Sequence, residues 1–436
     1  MNWKEEYKRK LTTPAEAVKV IKSGDRVYAG TASSYAYALL DALWERRHEL
    51  ENVTISGSNG YQSTPIFDNQ DDNPFLFNTY FMGIGERKVY RKGLPVYFNS
   101  VHLSEVDLWA RENSKPNVAF FEVSLPDEDG YFTFGPSGVT VGETVKEIAD
   151  TVIIQVNKYV PYVLGENNKI HVSEVDIITE EDRPYDKYIA QEPDDISKTI
   201  AGYILDEIPD GATFQLGLGN ISNAIGFGLM EKNDLGIYTE LLNEPMFRLM
   251  KNGNVTNKNK GYMNGKTVYA FTFGSPELYE DMNNNPNYYV VPFRTSNDAR
   301  LIAMNKKMIS INATMAFNIY GEAASDCISW NQQSGVGGQL DYVRGAQWSE
   351  GGKSFLVTSS TFEKNGELHS KILPYFAPGT AVTTPRSDVQ YVATEYGCIN
   401  LKPLTMQDRA KAMISLAHPK FRDWLTDEAK KAGLLK

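Results

Sequence analysis

Three stretches of the sequence hold residue types that could do chemistry, at spacings a backbone can present. The first is NDLGIYTELLNEP (233–245), where the apolar run Leu235-Gly236-Ile237-Tyr238 leads to a carboxylate, Glu240. An acid at the carboxyl end of a strand in an open α/β sheet stands where such sheets bind ligands. It can equally be a solvated loop acid or a partner for Arg248, and Glu244 is a nearby competitor. The second is Gly217-Leu218-Gly219-Asn220-Ile221-Ser222-Asn223. Glycines between a strand and a helix let the backbone turn tightly, and the helix N-terminus then offers unpaired N–H groups to an anion. The plainer reading is a tight turn in which Asn220 or Ser222 caps the helix. The third is SGVGGQLDYVRGA (334–346), with Gly335, Gly337 and Gly338 inside four residues. Its main-chain N–H groups suit an oxyanion hole or a pantetheine cradle. A glycine hairpin is the alternative, with Gln339, Asp341 and Arg344 only holding the loop. A dinucleotide fold also fits part of this pattern, with Glu240 as a ribose ligand. It lacks the third glycine, which is Ser222 here, and leaves 334–346 unexplained.

These residues need elements to position them. Thr13, Pro14 and Glu16 form the start signal of a helix before AVKVI. SGDRVYAG (23–30) then reads as turn, strand and glycine, SSYAYALLDALWERRHEL (33–50) has helical spacing, and NVTISG (52–57) alternates as a strand. This order predicts two parallel strands joined by a crossover helix. Residues 208–240 repeat it: SGDRVYAG matches PDGATFQLG, and VTISGS (53–58) matches LGIYTE, placing Ser58 where Glu240 stands. The pattern suggests two related α/β domains, of which only the second carries the acid. A linker is expected over 178–198, which is charged and contains prolines. Further strands are expected at 151–156, 307–312, 354–360 and 389–395, and a capped helix at 405–419, stopped by Pro419 and followed by a short one. DNQDDNP (68–74) lacks the spacing and glycine of an EF-hand and reads as a solvated loop.

With 436 residues, two domains are the default. A net charge of -11 argues against nucleic-acid binding, which needs a basic face. MNWKEEYKRK lacks the apolar segment of a signal peptide, and there is no apolar run of bilayer length. Cys327 and Cys398 are the only cysteines, and the five histidines lie far apart. The expectation is a cytoplasmic, metal-free protein without membrane or nucleic-acid partners.

The order GLGNISNAI, Thr239-Glu240, Ser296-Asn297-Asp298, SGVGGQLDYVRGA and VATEYG (392–397) resembles the family I CoA-transferases. The branch it resembles is the acetyl-CoA hydrolase/transferase family, which includes butyryl-CoA:acetate and 4-hydroxybutyrate CoA-transferases. The resemblance covers nearly the whole chain and is looser in the N-terminal half. It implies two related open α/β domains with mainly parallel sheets, here 1–185 and 186–436, the second bearing the catalytic glutamate.

The resemblance places the nucleophile on Glu240, with Asn297 orienting the reacting carboxylates. It assigns Gly217, Leu218, Gly219, Asn220, Ile221, Met315, Gly337, Gly338 and Lys364 to CoA, and supporting roles to Gln339 and Glu395. The implied reaction moves CoA from a short-chain acyl-CoA to acetate or a similar carboxylate through a glutamyl-CoA thioester, with no cofactor beyond CoA itself and in a homo-oligomer. An acyl-CoA hydrolase or a 4-hydroxybutyrate CoA-transferase on the same scaffold is the alternative. A nicotinamide-dependent oxidoreductase and an inactive CoA-binding protein are the alternatives of other classes. Tyr238, Leu241 and Ser222 depart from the family's usual histidine, methionine and proline, and NEPMFRL lacks a usual aspartate. These departures bear on the substrate more than on the reaction.

Overall fold

The computed structural model describes residues 2–69, 71–185 and 192–436. It divides into two compact units, one made of 1–189 with 268–296, the other of 190–267 with 297–436. The expected single cut after residue 185 therefore omits a segment, Val268–Ser296, that returns to the first unit. Part of the expected linker, 186–191, lies outside the described residues. Of the rest, Ile177–Glu180 is a strand and a helix begins at Asp195, capped by Asp194.

The first unit is built on a seven-stranded sheet in the order Val96–Phe98, Leu76–Thr79, Thr54–Ser58, Arg26–Thr31, Val118–Val123, Thr151–Val156, Ile177–Glu180. Every neighbouring pair in it is parallel. Val118–Val123 is buried at all six positions, as a central parallel strand covered on both faces must be. The helix expected over 33–50 is shorter, Tyr37–Glu45, because the chain first makes a tight turn at Ala32–Ser34. The predicted start at Thr13 is present: its Oγ1 accepts the Glu16 N–H at 3.3 Å, with Pro14 in the first helical turn.

The second unit carries a six-stranded sheet, Gly236–Ile237, Thr213–Leu216, Met308–Ala313, Lys353–Val357, Tyr391–Thr394, Gly397–Asn400. The first five strands are parallel and the last is antiparallel to its neighbour. The internal repeat recurs as a parallel strand pair in each unit. Arg26 pairs with Thr54 in one sheet as Thr213 pairs with Gly236 in the other. Residues 361–364 leave the expected 354–360 strand region as one arm of a separate hairpin. In the tail, Met406–Leu416 is capped by Thr405, while Pro419 opens the helix Pro419–Lys431. No helix of the described residues is long and apolar enough to cross a membrane. Nor is there a cluster of three metal-ligating side chains among them.

Candidate active site

Glu240 follows the edge strand Gly236–Ile237, whose neighbour Tyr238 donates its N–H to Phe214 O at 3.4 Å. The carboxylate therefore stands at the carboxyl end of a parallel sheet, and two groups from distant parts of the second unit meet it there. Asn297 Nδ2 donates to Glu240 Oε2 at 2.9 Å, and the Gly338 backbone N–H donates to the same carboxylate. Part of the Glu240 surface remains open, but the protein packs closely around its carboxyl group. Burial pushes its pKa up to about 7, against the opposing pull of the Asn297 and Gly338 hydrogen bonds. Desolvation wins because, among the described residues, no cation is paired with the acid.

The glycine loop is not a hairpin. Gly337 has φ +65°, and Gly338 is the N-cap of a ten-residue helix, Gln339–Trp348. The donor facing Glu240 thus lies at a helix N-terminus, where unpaired N–H groups and the macrodipole favour negative charge. Glycine is required at 338 for a steric reason. A Cβ there would lie 1.9 Å from Glu240 Oε2 and 2.0 Å from Asn297 Nδ2.

The helix is fixed from several sides. Gln339 Nε2 donates to Thr384 Oγ1 at 2.8 Å, and Arg344 pairs with Asp388 at 2.9 Å, so both act as anchors of the loop. Asp341, buried, accepts a long contact from Asn297 Nδ2 at 3.5 Å, which places a second carboxylate behind the asparagine. Tyr238 and Tyr342 are both fully buried near the acid. The competitor Glu244 opens the helix Glu244–Lys251 and pairs with Arg248 at 2.7 Å, so the ion pair considered for Glu240 belongs to Glu244.

The turn 217–221 is held by its main chain: Gly217 N–H donates to Ile311 O at 3.1 Å, and Asn243 Nδ2 donates to Gly217 O at 3.3 Å. Gly219 has φ +116°, and the helix Asn220–Gly228 begins directly after it. Asn243, three residues beyond Glu240, is the link to this turn, and sequence reasoning passed over it. Met315 lies elsewhere, in a cavity of about 500 Å³ with Phe362, His369, Lys371 and Trp424. Lys364 is exposed near the tip of the 361–370 hairpin and does not line that cavity, whereas Lys371 does. Alternation puts Lys364 on the face of Phe362 and Lys371 on the face of His369, the same side of the hairpin, so local pattern does not separate the two lysines. Lys371 Nζ donates to Ser359 Oγ at 2.9 Å, and Glu395 accepts from the Ser360 N–H at 2.8 Å and hydroxyl at 2.5 Å.

Comparison with known proteins then decides the family. Residues 1–186 match the model of the acetyl-CoA hydrolase/transferase N-terminal domain, and residues 274–429 that of its C-terminal domain. The chain belongs to the acetyl-CoA hydrolase/transferase family. Among members of this family, it is 38% identical to the butyryl-CoA:acetate CoA-transferase of Anaerostipes caccae, covering 100% of this chain and 99% of that one. It is 39% identical to the succinyl-CoA:cyclohexane-1-carboxylate CoA transferase of Geobacter metallireducens, over 99% and 97%. The crystal structure of RipA from Yersinia pestis is similar across the full length of both chains, at 34% identity and a TM-score of 0.91. The family member described here is an acyl-CoA:carboxylate CoA-transferase. That assignment replaces the nicotinamide reading of the glycine turn, in which Glu240 held a ribose.

Proposed function

We propose that this CoA-transferase moves CoA from a short-chain acyl-CoA, of the butyryl-CoA kind, to acetate or a similar carboxylate, with Glu240 as the nucleophile. The observation that carries the reading is the seating of Glu240 between Asn297 and the N-terminus of the helix Gln339–Trp348. A Glu240 oxygen attacks the thioester carbonyl, the C–S bond breaks, and CoA leaves as a thiolate, giving a mixed anhydride. The thiolate attacks the glutamyl carbonyl, the C–O bond breaks, and the first carboxylate leaves, giving a glutamyl-CoA thioester. An acceptor carboxylate reverses the sequence. No net proton is transferred, and thioester exchanges for thioester.

Each addition passes through an oxyanion, for which one main-chain donor contributes about 3–4 kcal/mol. Gly338 N–H is suited to that role. The raised pKa keeps the carboxylate reactive as well as poorly solvated, since a nucleophile stabilised by a cation would attack less readily. CoA is held by the 217–221 turn, Gly337 and Gly338, and by the cavity containing Met315 and Lys371, with Glu395 supporting it. No cofactor beyond CoA enters this scheme. We place the enzyme in the cytoplasm, in keeping with its free thiols at Cys327 and Cys398, and as a homo-oligomer, in keeping with exposed Trp330 and Trp348.

The test is intact-mass spectrometry after incubation with butyryl-CoA, with and without borohydride. A CoA-sized adduct that borohydride removes, and that Glu240→Ala never forms, is the expected result. CoA binding without an adduct would make the protein an inactive binder. Butyryl-CoA loss at the same rate without added acetate would make it a hydrolase.

A further inference from the structure

The strand that leads to Glu240 is an edge strand, yet its outer side is not left to solvent. Lys260, only 1% exposed, reaches it from the loop that follows the helix Glu244–Lys251. Its Nζ donates to Ile237 O at 3.0 Å and to Lys266 O at 2.5 Å, and lies 5.8 Å from the centre of the Tyr238 ring. From the same loop Asn257 Oδ1 accepts the Ile237 N–H at 2.8 Å, and Asn257 Nδ2 donates to Thr267 Oγ1 at 2.9 Å. Two residues earlier, Leu235 N–H donates to Asn254 O at 2.8 Å. Both polar groups of the Ile237 peptide edge are thus taken by side chains, where a sheet would ordinarily add a strand.

Gly236 belongs to the same device. A Cβ there would lie 2.4 Å from Lys260 Cγ, so the glycine leaves the room that the lysine stem occupies. No carboxylate is paired with Lys260 among the described residues, and burial alone lowers its pKa to about 7. In the neutral form an amine has two N–H bonds, one for each carbonyl it meets.

We propose that Lys260, with Asn257, is a positioning residue that sets where the Glu240 carboxylate stands for attack. The inference rests on the reading of Glu240 as nucleophile. Only Tyr238 and Thr239 separate the clamped Ile237 from Glu240, and the strand has only two ladder residues of its own. Loss of the outer bonds frees the tip to move while the rest of the sheet stays paired. A misplacement of about 1 Å between reacting groups costs roughly 100-fold in rate.

The experiment is steady-state kinetics on full-length Lys260→Met, Lys260→Arg and Asn257→Leu, with butyryl-CoA and acetate, alongside thermal melts. Methionine keeps the apolar stem and removes the donor. The expected result is a loss in kcat of roughly 30-fold or more, a KM for butyryl-CoA within about twofold of the parent, and partial recovery of kcat in Lys260→Arg. If Lys260→Met does not fold, Asn257→Leu applies the same test from the other polar group. An unchanged kcat in either folded variant overturns the proposal, as does a loss confined to melting temperature or KM. Glu240→Gln run in parallel separates the two layers. If it remains active, the nucleophile reading fails; if it is dead while Lys260→Met is fully active, only the present inference fails.

Discussion

Replacing Glu240 by glutamine should stabilise the protein while abolishing its chemistry. The reason lies in the cost of holding the acid ready. Its pKa is about 7 in the folded state and 4.5 for an unperturbed glutamate. Below pH 4.5 both states are protonated and the acid costs nothing. Between pH 4.5 and 7 the unfolded chain ionises first, so rising pH drains stability from the folded state. Above pH 7 the full penalty is present. The gap of about 2.5 pH units corresponds to ~3 kcal/mol. Since Glu240 keeps some contact with solvent, we discount this to ~2 kcal/mol. Glutamine has the same shape and carries no charge, so Glu240→Gln recovers that amount at pH 8 and none at pH 4. For a unit of roughly 150–250 residues this is a rise of ~4–8 °C in melting temperature at pH 8. Calorimetry of parent and variant at pH 4, 6 and 8 reads the effect directly. A difference that does not grow with pH, or a variant less stable than the parent at pH 8, would refute the claim that desolvation dominates at Glu240. Stability gained by neutralising a buried, unpaired acid is the trade-off expected where a site holds a group ready for function.

Gly338→Ala should fold normally by circular dichroism and lose at least about 100-fold in kcat, because the added Cβ falls 1.9 Å from Glu240 Oε2. Retention of more than a tenth of the activity would show that the loop yields. With Glu240 as the proposed nucleophile, which must be ionised to attack, log(kcat/KM) of the parent should climb with pH and level off near pH 7. A limb lying entirely below pH 5 would point to a well-solvated acid. Asn297→Ala removes a hydrogen bond that favours the ionised form. It should lower kcat/KM by about tenfold and move that limb to higher pH; a shift to lower pH would contradict the assignment.

Much of this architecture was legible in the sequence because it is local. The apolar run of TVIIQV is a strand at Thr151–Val156, the Thr13 and Thr405 caps start their helices, and Gly219 adopts the positive φ that its turn needs. The repeated turn, strand, helix and strand order recurs as a parallel strand pair in each unit. That Glu240 stands at a strand tip is likewise a matter of short-range pattern.

What the tertiary structure decided are the groups that give the acid its character. Asn297 lies 57 residues from Glu240, and Gly338 comes from a different part of the second unit again. Nothing within either segment says that they converge. The glycine loop could be read as a hairpin or an oxyanion cradle, and packing made it a helix start whose missing Cβ leaves space for a carboxylate. Lys260 carries no local signal of its own in the sequence, and only the fold puts it against the edge of the strand that leads to Glu240. Periodicity and capping depend on neighbours within a few residues, so one chain segment reveals them. Desolvation, close approach and hydrogen bonding across dozens of residues depend on where the whole chain goes, and those are the terms that set the reactivity of Glu240.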